Sequence, residues 1–176
     1  FMRLPHILRN TASLRWPAFS DSFSAINHTL IIARGYGFPI ALEVALKFKE
    51  TAAIQAEAFS AAELLHGPLA LIQQGHPYLL IAQNDKTLKE ILTLSSRIKD
   101  LGGKALLILP QDIIDEEILA KHASEVLTLP REHAIDAIFE PIIIIQTLYL
   151  LIAKLAVARG YNPDAPANLL KVTETL

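Results

Sequence analysis

Cysteine is missing from all 176 residues, which excludes a disulfide framework, a thiolate metal site and a cysteine nucleophile. A cytoplasmic location is compatible with that and is the expectation here. Charge is scarce too, at 19% of residues against about 25% in ordinary globular chains. What charge there is nearly cancels: 16 Lys and Arg against 18 Asp and Glu give −2, so no basic footprint for nucleic acid is present. No uninterrupted apolar run reaches the roughly 20 residues that span a bilayer. The longest, Pro141 to Ala153, is broken by Gln146 and Thr147 and bounded by Glu140 and Lys154; it reads as a buried helix, and no membrane partner is expected. The beginning, Phe1-Met2-Arg3, lacks the basic-then-apolar pattern of a secretory signal. Internal repeats, low-complexity tracts and a clear linker are also absent.

What the chain has in excess is apolar residues, 52% against about 45–50%. That argues against disorder, fits a single domain with one substantial core, and leaves apolar surface for another subunit or domain. Strands are expected at His28–Arg34, Gln55–Ser60, Pro77–Ala82, Lys104–Leu109 and Glu125–Leu129, where short β-branched or leucine runs end in turn residues. Helical spacing covers Pro39 to about Ile54, with Pro39 suited to a first turn. A second helix, Thr87–Leu101, carries Leu88, Ile91, Leu92, Leu94 and Ile98 on one side and ends at Gly102-Gly103. A third runs from about Ala134 to Arg159. Its Ile142–Ile145 stretch suits a strand by propensity, but the apolar pattern is too long for one. Ala61–Leu65 reads as a helical turn before a break at His66-Gly67-Pro68, Pro110–His122 as a loop with a short helix, and Leu4–Ala25 as a lead-in segment or short helix.

Strands alternating with helices predict an α/β fold, a three-layer α/β/α sandwich around a mostly parallel sheet. Ligands in such sheets bind beyond the carboxyl ends of the strands. That rule points to Arg34-Gly35-Tyr36-Gly37, to Ala82–Thr87 and to Pro110-Gln111-Asp112.

Glu43, Lys47 and Glu50 are spaced by four and three, which puts them on one face of the first long helix. The plain reading is a solvated charged stripe with one ion pair worth a few tenths of a kcal/mol; against it stands the setting, a helix that begins just after a strand end expected to bind ligand. Glu57, Glu63 and His66 follow; His66 precedes Gly-Pro, and an imidazole can exchange protons near neutrality. The six His include no H-E-x-x-H or i,i+4 pair, so no metal is expected. The nucleotide patterns G-x-G-x-x-G and G-x-x-x-x-G-K-[ST] and the hydrolase pattern G-x-S-x-G do not occur, and no cofactor is expected. Asn84-Asp85-Lys86-Thr87 reads as a helix cap or as an anion site at a helix N-terminus.

Arg34-Gly35, Pro39–Glu50 (PIALEVALKFKE), Ala56-Glu57-Ala58-Phe59 and Glu63–Ala70 (ELLHGPLA) together resemble the second sugar isomerase (SIS) domain of the glucosamine-6-phosphate synthase isomerase family. The ending, Asn162–Pro166 with Asn168-Leu-Leu-Lys171-Val-Thr-Glu174, resembles the end of the same family, and the likeness covers the chain from about Leu4. It implies a flavodoxin-like doubly wound SIS domain over 28–160, a linker and lead-in helix over 1–27, and a tail over 161–176 that reaches the active site. A first SIS domain is expected on the N-terminal side, and a homodimer overall. The implied chemistry is aldose–ketose interconversion of an amino-sugar phosphate. Glu50 would be the base shuttling a proton between C1 and C2, His66 would assist ring opening, often from the neighbouring subunit, Lys47 would stabilise the enediolate oxygen, and Lys171 would engage the open-chain carbonyl. Glu43, Arg34, Gly35 and Ala167 complete the expected substrate contacts.

Three family positions differ: Val44 and Ala62 stand where glycines are usual, and Leu65 where lysine is. The Ser/Thr-rich phosphate loop of a first SIS domain has no equivalent, since Ala82–Thr87 carries a single hydroxyl residue. Phosphate binding is therefore expected to depend on that first domain. Without a glutaminase part, ammonia would be released or taken from solution. The expectation is an isomerising glucosamine-6-phosphate deaminase. The alternatives are the isomerase half of the synthase, a fructosamine-phosphate deglycase, or a non-catalytic sugar-phosphate sensor.

Overall fold

In the computed structural model, which describes residues 4–130 and 137–166, five apolar runs pair side by side. They are β1 (His28–Ala33), β2 (Gln55–Ser60), β3 (Pro77–Ile81), β4 (Lys104–Pro110) and β5 (Glu125–Leu129), in the order β2-β1-β3-β4-β5. Every pairing is parallel. A sheet covered on both faces needs no polar side, and the five residues of β3 are buried without exception. The strand order reverses between β1 and β3, which makes the carboxyl ends of those two strands the switch point.

Helices α1 (Leu4–Thr11), α2 (Pro17–Phe23), α3 (Phe38–Ala52) and α7 (Glu140–Ala158) cover one face. Helices α4 (Ala61–Leu65), α5 (Leu88–Asp100) and α6 (Glu116–His122) lie on the other, where α6 packs on α5. The three-layer α/β expectation is met. The lead-in segment turns out to be two helices built into the core: Trp16, Phe19 and Phe23 are buried, and the Phe19 and Phe23 rings meet Phe48 of α3 at 5.9 and 5.3 Å.

Helix α7 settles the conflict between propensity and pattern at Ile142–Ile145. Ile143, Ile144, Leu148, Leu151, Ile152 and Leu155 are buried along one side against α3, α2 and α1, and that burial outweighs the small helix penalty of β-branched residues. Residues 131–136, including the expected start at Ala134, lie outside the described residues. A 3₁₀ turn at Ala137–Phe139 leads into α7. By length and composition this helix could cross a bilayer; here its apolar side forms part of the domain core.

Two ties fix the helix ends. Gly102 adopts φ +84° just beyond α5, and the Gly102 and Gly103 amides donate to Lys99 and Ile98 carbonyls at 2.8 and 2.9 Å, as expected of a glycine cap. Arg159 gathers carbonyls from the ends of two other helices and the turn after α2. Its guanidinium donates to Ala52 at 2.7 Å, to Phe23 at 3.3 Å, to Ser24 at 2.5 Å and to Ile26 at 2.8 Å. A cation there satisfies acceptors that helix C-termini leave open and suits their dipoles.

Candidate active site

The sheet places α3 so that it starts at the carboxyl ends of the strands and runs back beside them. Its buried residues, Ala41, Val44, Ala45, Phe48 and Ala52, face the core. The helical period then puts Glu43, Lys47 and Glu50 together on the flank, which faces α7. The Lys47 ammonium is 2.6 Å from Glu50 Oε2 and 3.6 Å from Glu43 Oε1. All three side chains are about a third exposed, at 29–33%. The tight contact is therefore the i,i+3 pair, and the cluster is half-buried rather than a freely solvated stripe. Donation to Glu50 raises the Lys47 pKa above its usual 10.5, against an opposing effect of burial, with the two carboxylate charges adding to the rise.

A fourth member comes from α7. The Tyr149 hydroxyl donates to Glu43 Oε1 at 2.8 Å. Partial burial, followed by the bond to Glu43 and the charge of Glu43, raises its pKa above 10.0, while Lys47 pulls it down. Nothing in the sequence pattern marked Tyr149, because its partner is 106 positions away and the residue sits within an otherwise apolar helix. On the same two helices Leu42 and Leu46 of α3, and Ile142, Leu150 and Val157 of α7, are exposed.

The other expected residues that the structure describes are elsewhere. Arg34 and Gly35 stand at the switch point, where Gly35, Tyr36, Asp85, Lys86 and Thr87 line an open crevice of about 620 Å³. Gly35 has φ +57°, a conformation that favours glycine, and a Cβ there would press on Thr87 Cγ2 at 3.2 Å where the β1–α3 and β3–α5 turns approach. Asp85 Oδ1 accepts from the Thr87 amide at 2.7 Å and from its hydroxyl at 2.6 Å. This is a local turn ahead of α5 and not the expected cap: the N-cap of α5 is Thr87, which makes no side-chain capping bond, and neither the Asn84 nor the Asp85 side chain reaches a helical amide. The Arg34 guanidinium is already engaged, by Glu90 at 3.3 Å and Ser60 Oγ at 2.9 Å.

Glu50 lies twelve residues along α3 from Phe38, or about 18 Å at 1.5 Å per residue. The crevice and the Lys47–Glu50 pair are therefore separate regions of this chain. His66 follows α4 and is exposed; since Ala61 and Leu64 of α4 belong to the opposite core from α3, it is on the far face of the sheet from Glu50. Glu63 closes the start of α4 by accepting from the Ser60 amide at 3.4 Å. Lys171 and Ala167 lie outside the described residues. Among the described residues no three His, Asp or Glu side chains converge as a metal would require.

Comparison with known proteins gives a consistent assignment. The model of the SIS domain family matches residues 22–158. The glutamine–fructose-6-phosphate aminotransferase [isomerizing] of Xanthomonas campestris pv. campestris is 38% identical over 154 residues, 88% of this chain and 24% of the relative. The chain thus spans about a quarter of the length of that curated relative. Among solved structures, the C-terminal domain of glucosamine-fructose-6-phosphate aminotransferase from Francisella tularensis superposes with a TM-score of 0.75 at 32% identity, over 94% of this chain and 44% of the other. Glucosamine-6-phosphate deaminase from Thermotoga maritima shares the fold, with a TM-score of 0.64 at 19% identity, over 96% of this chain and 46% of the other. A five-stranded parallel sheet in the order 2-1-3-4-5, a family match over most of its length and relatives above 30% identity agree, and this chain belongs to the SIS domain family.

Proposed function

We propose that this domain carries the proton-transfer half of a phosphosugar isomerase acting on an amino-sugar phosphate. The observation that supports it most is the Lys47–Glu50 contact of 2.6 Å on a half-buried flank of α3. Glu50 takes the proton from the carbon beside the open-chain carbonyl or imine. The electron pair moves onto the oxygen or nitrogen, where a cation such as Lys47 offsets the developing charge. The same carboxyl returns the proton to the neighbouring carbon as the hydroxyl proton there passes from the oxygen that becomes the new carbonyl to the former carbonyl oxygen or nitrogen, so C1 and C2 exchange oxidation level with no cofactor. Lys171 engages the carbonyl and His66 opens the ring. Glu43 and Ala167 complete the substrate contacts. Arg34 and Gly35, at the separate crevice, could touch only a part of the ligand distant from the reacting carbons.

Two partners belong to this reading. The first is a SIS domain preceding this one, which brings the phosphate loop that Ala82–Thr87 does not provide; the relatives, four times as long, support it. The second is another copy of the chain, because His66 and Glu50 are on opposite faces of one sheet and meet only across subunits. Mixing full-length E50Q and H66A, each inactive alone, is expected to restore turnover in hybrid dimers that hold one intact site. No recovery on mixing would place both residues in the same subunit's site or remove one from the chemistry.

The direction of flux separates two versions. The curated aminotransferase relatives support sugar amination, whereas Asn162–Pro166 with Lys171–Glu174, which look closer to the two-SIS-domain members of the family than to the full synthase, support the deaminating direction. Full-length protein given fructose 6-phosphate with glutamine, and separately glucosamine 6-phosphate alone, distinguishes them: amino sugar from the first favours amination, and ammonia with fructose 6-phosphate from the second favours deamination. Binding without any product in either would favour a sensor. For the shared step, E50Q is expected to keep sugar-phosphate binding and lose at least about 100-fold in turnover, the low end for a missing general base.

A further inference from the structure

We infer that Tyr149 is a positioning residue, which holds Glu43 off the Lys47 ammonium and so commits that ammonium to Glu50. This rests on the reading of Glu50 as the base. Glu43 Oε1 is the shared point: it accepts the Tyr149 hydroxyl at 2.8 Å and faces Lys47 Nζ at 3.6 Å, while Lys47 Nζ is 2.6 Å from Glu50 Oε2.

Glu43 and Lys47 are four apart on one helix, the spacing at which a glutamate and a following lysine pair readily. The structure nevertheless has the longer distance in that pair and the shorter one to Glu50. The hydroxyl explains the asymmetry. A carboxylate oxygen already accepting a short hydrogen bond from a neutral donor competes less for a cation, and its own position is fixed by α7. Take the hydroxyl away and Glu43 has an open acceptor one turn from Lys47. The ammonium is then divided between two carboxylates, and Glu50 loses part of the partner that orients it. Because Tyr149 comes from α7, the inference also makes the α3–α7 packing part of the site, with the helix-to-helix distance setting how the charges are shared.

The variants Y149F and Y149Q test this in the full-length protein. Phenylalanine keeps the ring and removes the donor; glutamine removes the ring and keeps a donor, its amide N–H. If Tyr149 positions Glu43, Y149F loses about 10-fold in kcat, the low end for a hydrogen bond to a charged group at a half-exposed site, with KM little changed, and Y149Q keeps more of the kcat than Y149F. If the ring merely packs, the order reverses: Y149F behaves as the parent and Y149Q is the weaker. That reversal, equal losses in both, or a loss carried by KM would overturn the inference. Thermal unfolding of each variant accompanies the kinetics, and a kcat loss that follows a loss of folded protein in both variants also counts against it. E50Q in the same assay separates this from the underlying reading: an active E50Q removes the base, whereas an inactive E50Q with a parental Y149F removes only the role of Tyr149.

Discussion

Both candidate regions of this domain are partly exposed and polar, and both lie where α3 meets something else, yet they are built for different ends. The crevice at the β1/β3 switch point is where an open α/β sheet usually binds its ligand. Here several of its polar groups hold the fold: Asp85 holds Thr87, and Arg34 bridges Glu90 and Ser60. The flank between α3 and α7 has no such rule in its favour, but it holds an ammonium at 2.6 Å from a carboxylate, with a second carboxylate and a phenol behind them. The difference teaches that the switch-point rule locates a cavity made by topology. Chemistry can sit on a helix flank that becomes a cavity only when another domain or subunit covers it. Leu42, Leu46, Ile142, Leu150 and Val157 on the same two helices are exposed.

Variants can break this comparison. The largest effect, the loss of about 100-fold or more in E50Q, belongs to the flank. Next comes R159A, which acts on the packing that positions the flank. Removing a cation that satisfies four carbonyls of the α2, α3 and nearby turn ends is expected to cost about 2 kcal/mol, from several half-buried acceptors left open. Denaturant unfolding measures it, and a cost below about 1 kcal/mol would show that water replaces the guanidinium easily. The smallest effect belongs to the crevice. G35A introduces a side chain at φ +57° and is expected to lower stability by about 1–2 kcal/mol, the cost of a left-handed conformation for a residue with a Cβ. Turnover per folded molecule should stay near the parental value. A folded G35A without turnover would move the reacting site to the crevice and reverse the comparison.

Much of the fold was legible because burial imposes periodicity. The five strands stand out as short apolar runs since the sheet is covered on both faces, and Gly102-Gly103 marked the end of α5 because only a residue without Cβ favours φ +84°. Helix α7 was legible against its own β-branched stretch, since its apolar pattern runs well past the usual length of a strand. The charged trio was legible for the same reason, its spacing being the helical period. The remainder depends on three-dimensional neighbours that no local pattern encodes. Leu4–Ala25 mixes prolines and polar residues with its aromatics, so its two helices show only once Trp16, Phe19 and Phe23 are seen in the core. Tyr149 and Arg159 meet partners more than a hundred positions away. That His66 and Glu50 face opposite ways follows from strand order, which spacing along the chain does not reveal.

The most direct test of the central reading follows hydrogen itself rather than product. Sugar phosphate incubated with the full-length protein in deuterated water should gain deuterium at the carbon next to the carbonyl, detected by NMR or mass, and E50Q should slow that gain at least about 100-fold while still binding the sugar. Exchange at the parental rate in E50Q would contradict the assignment of Glu50 as the group that carries the proton.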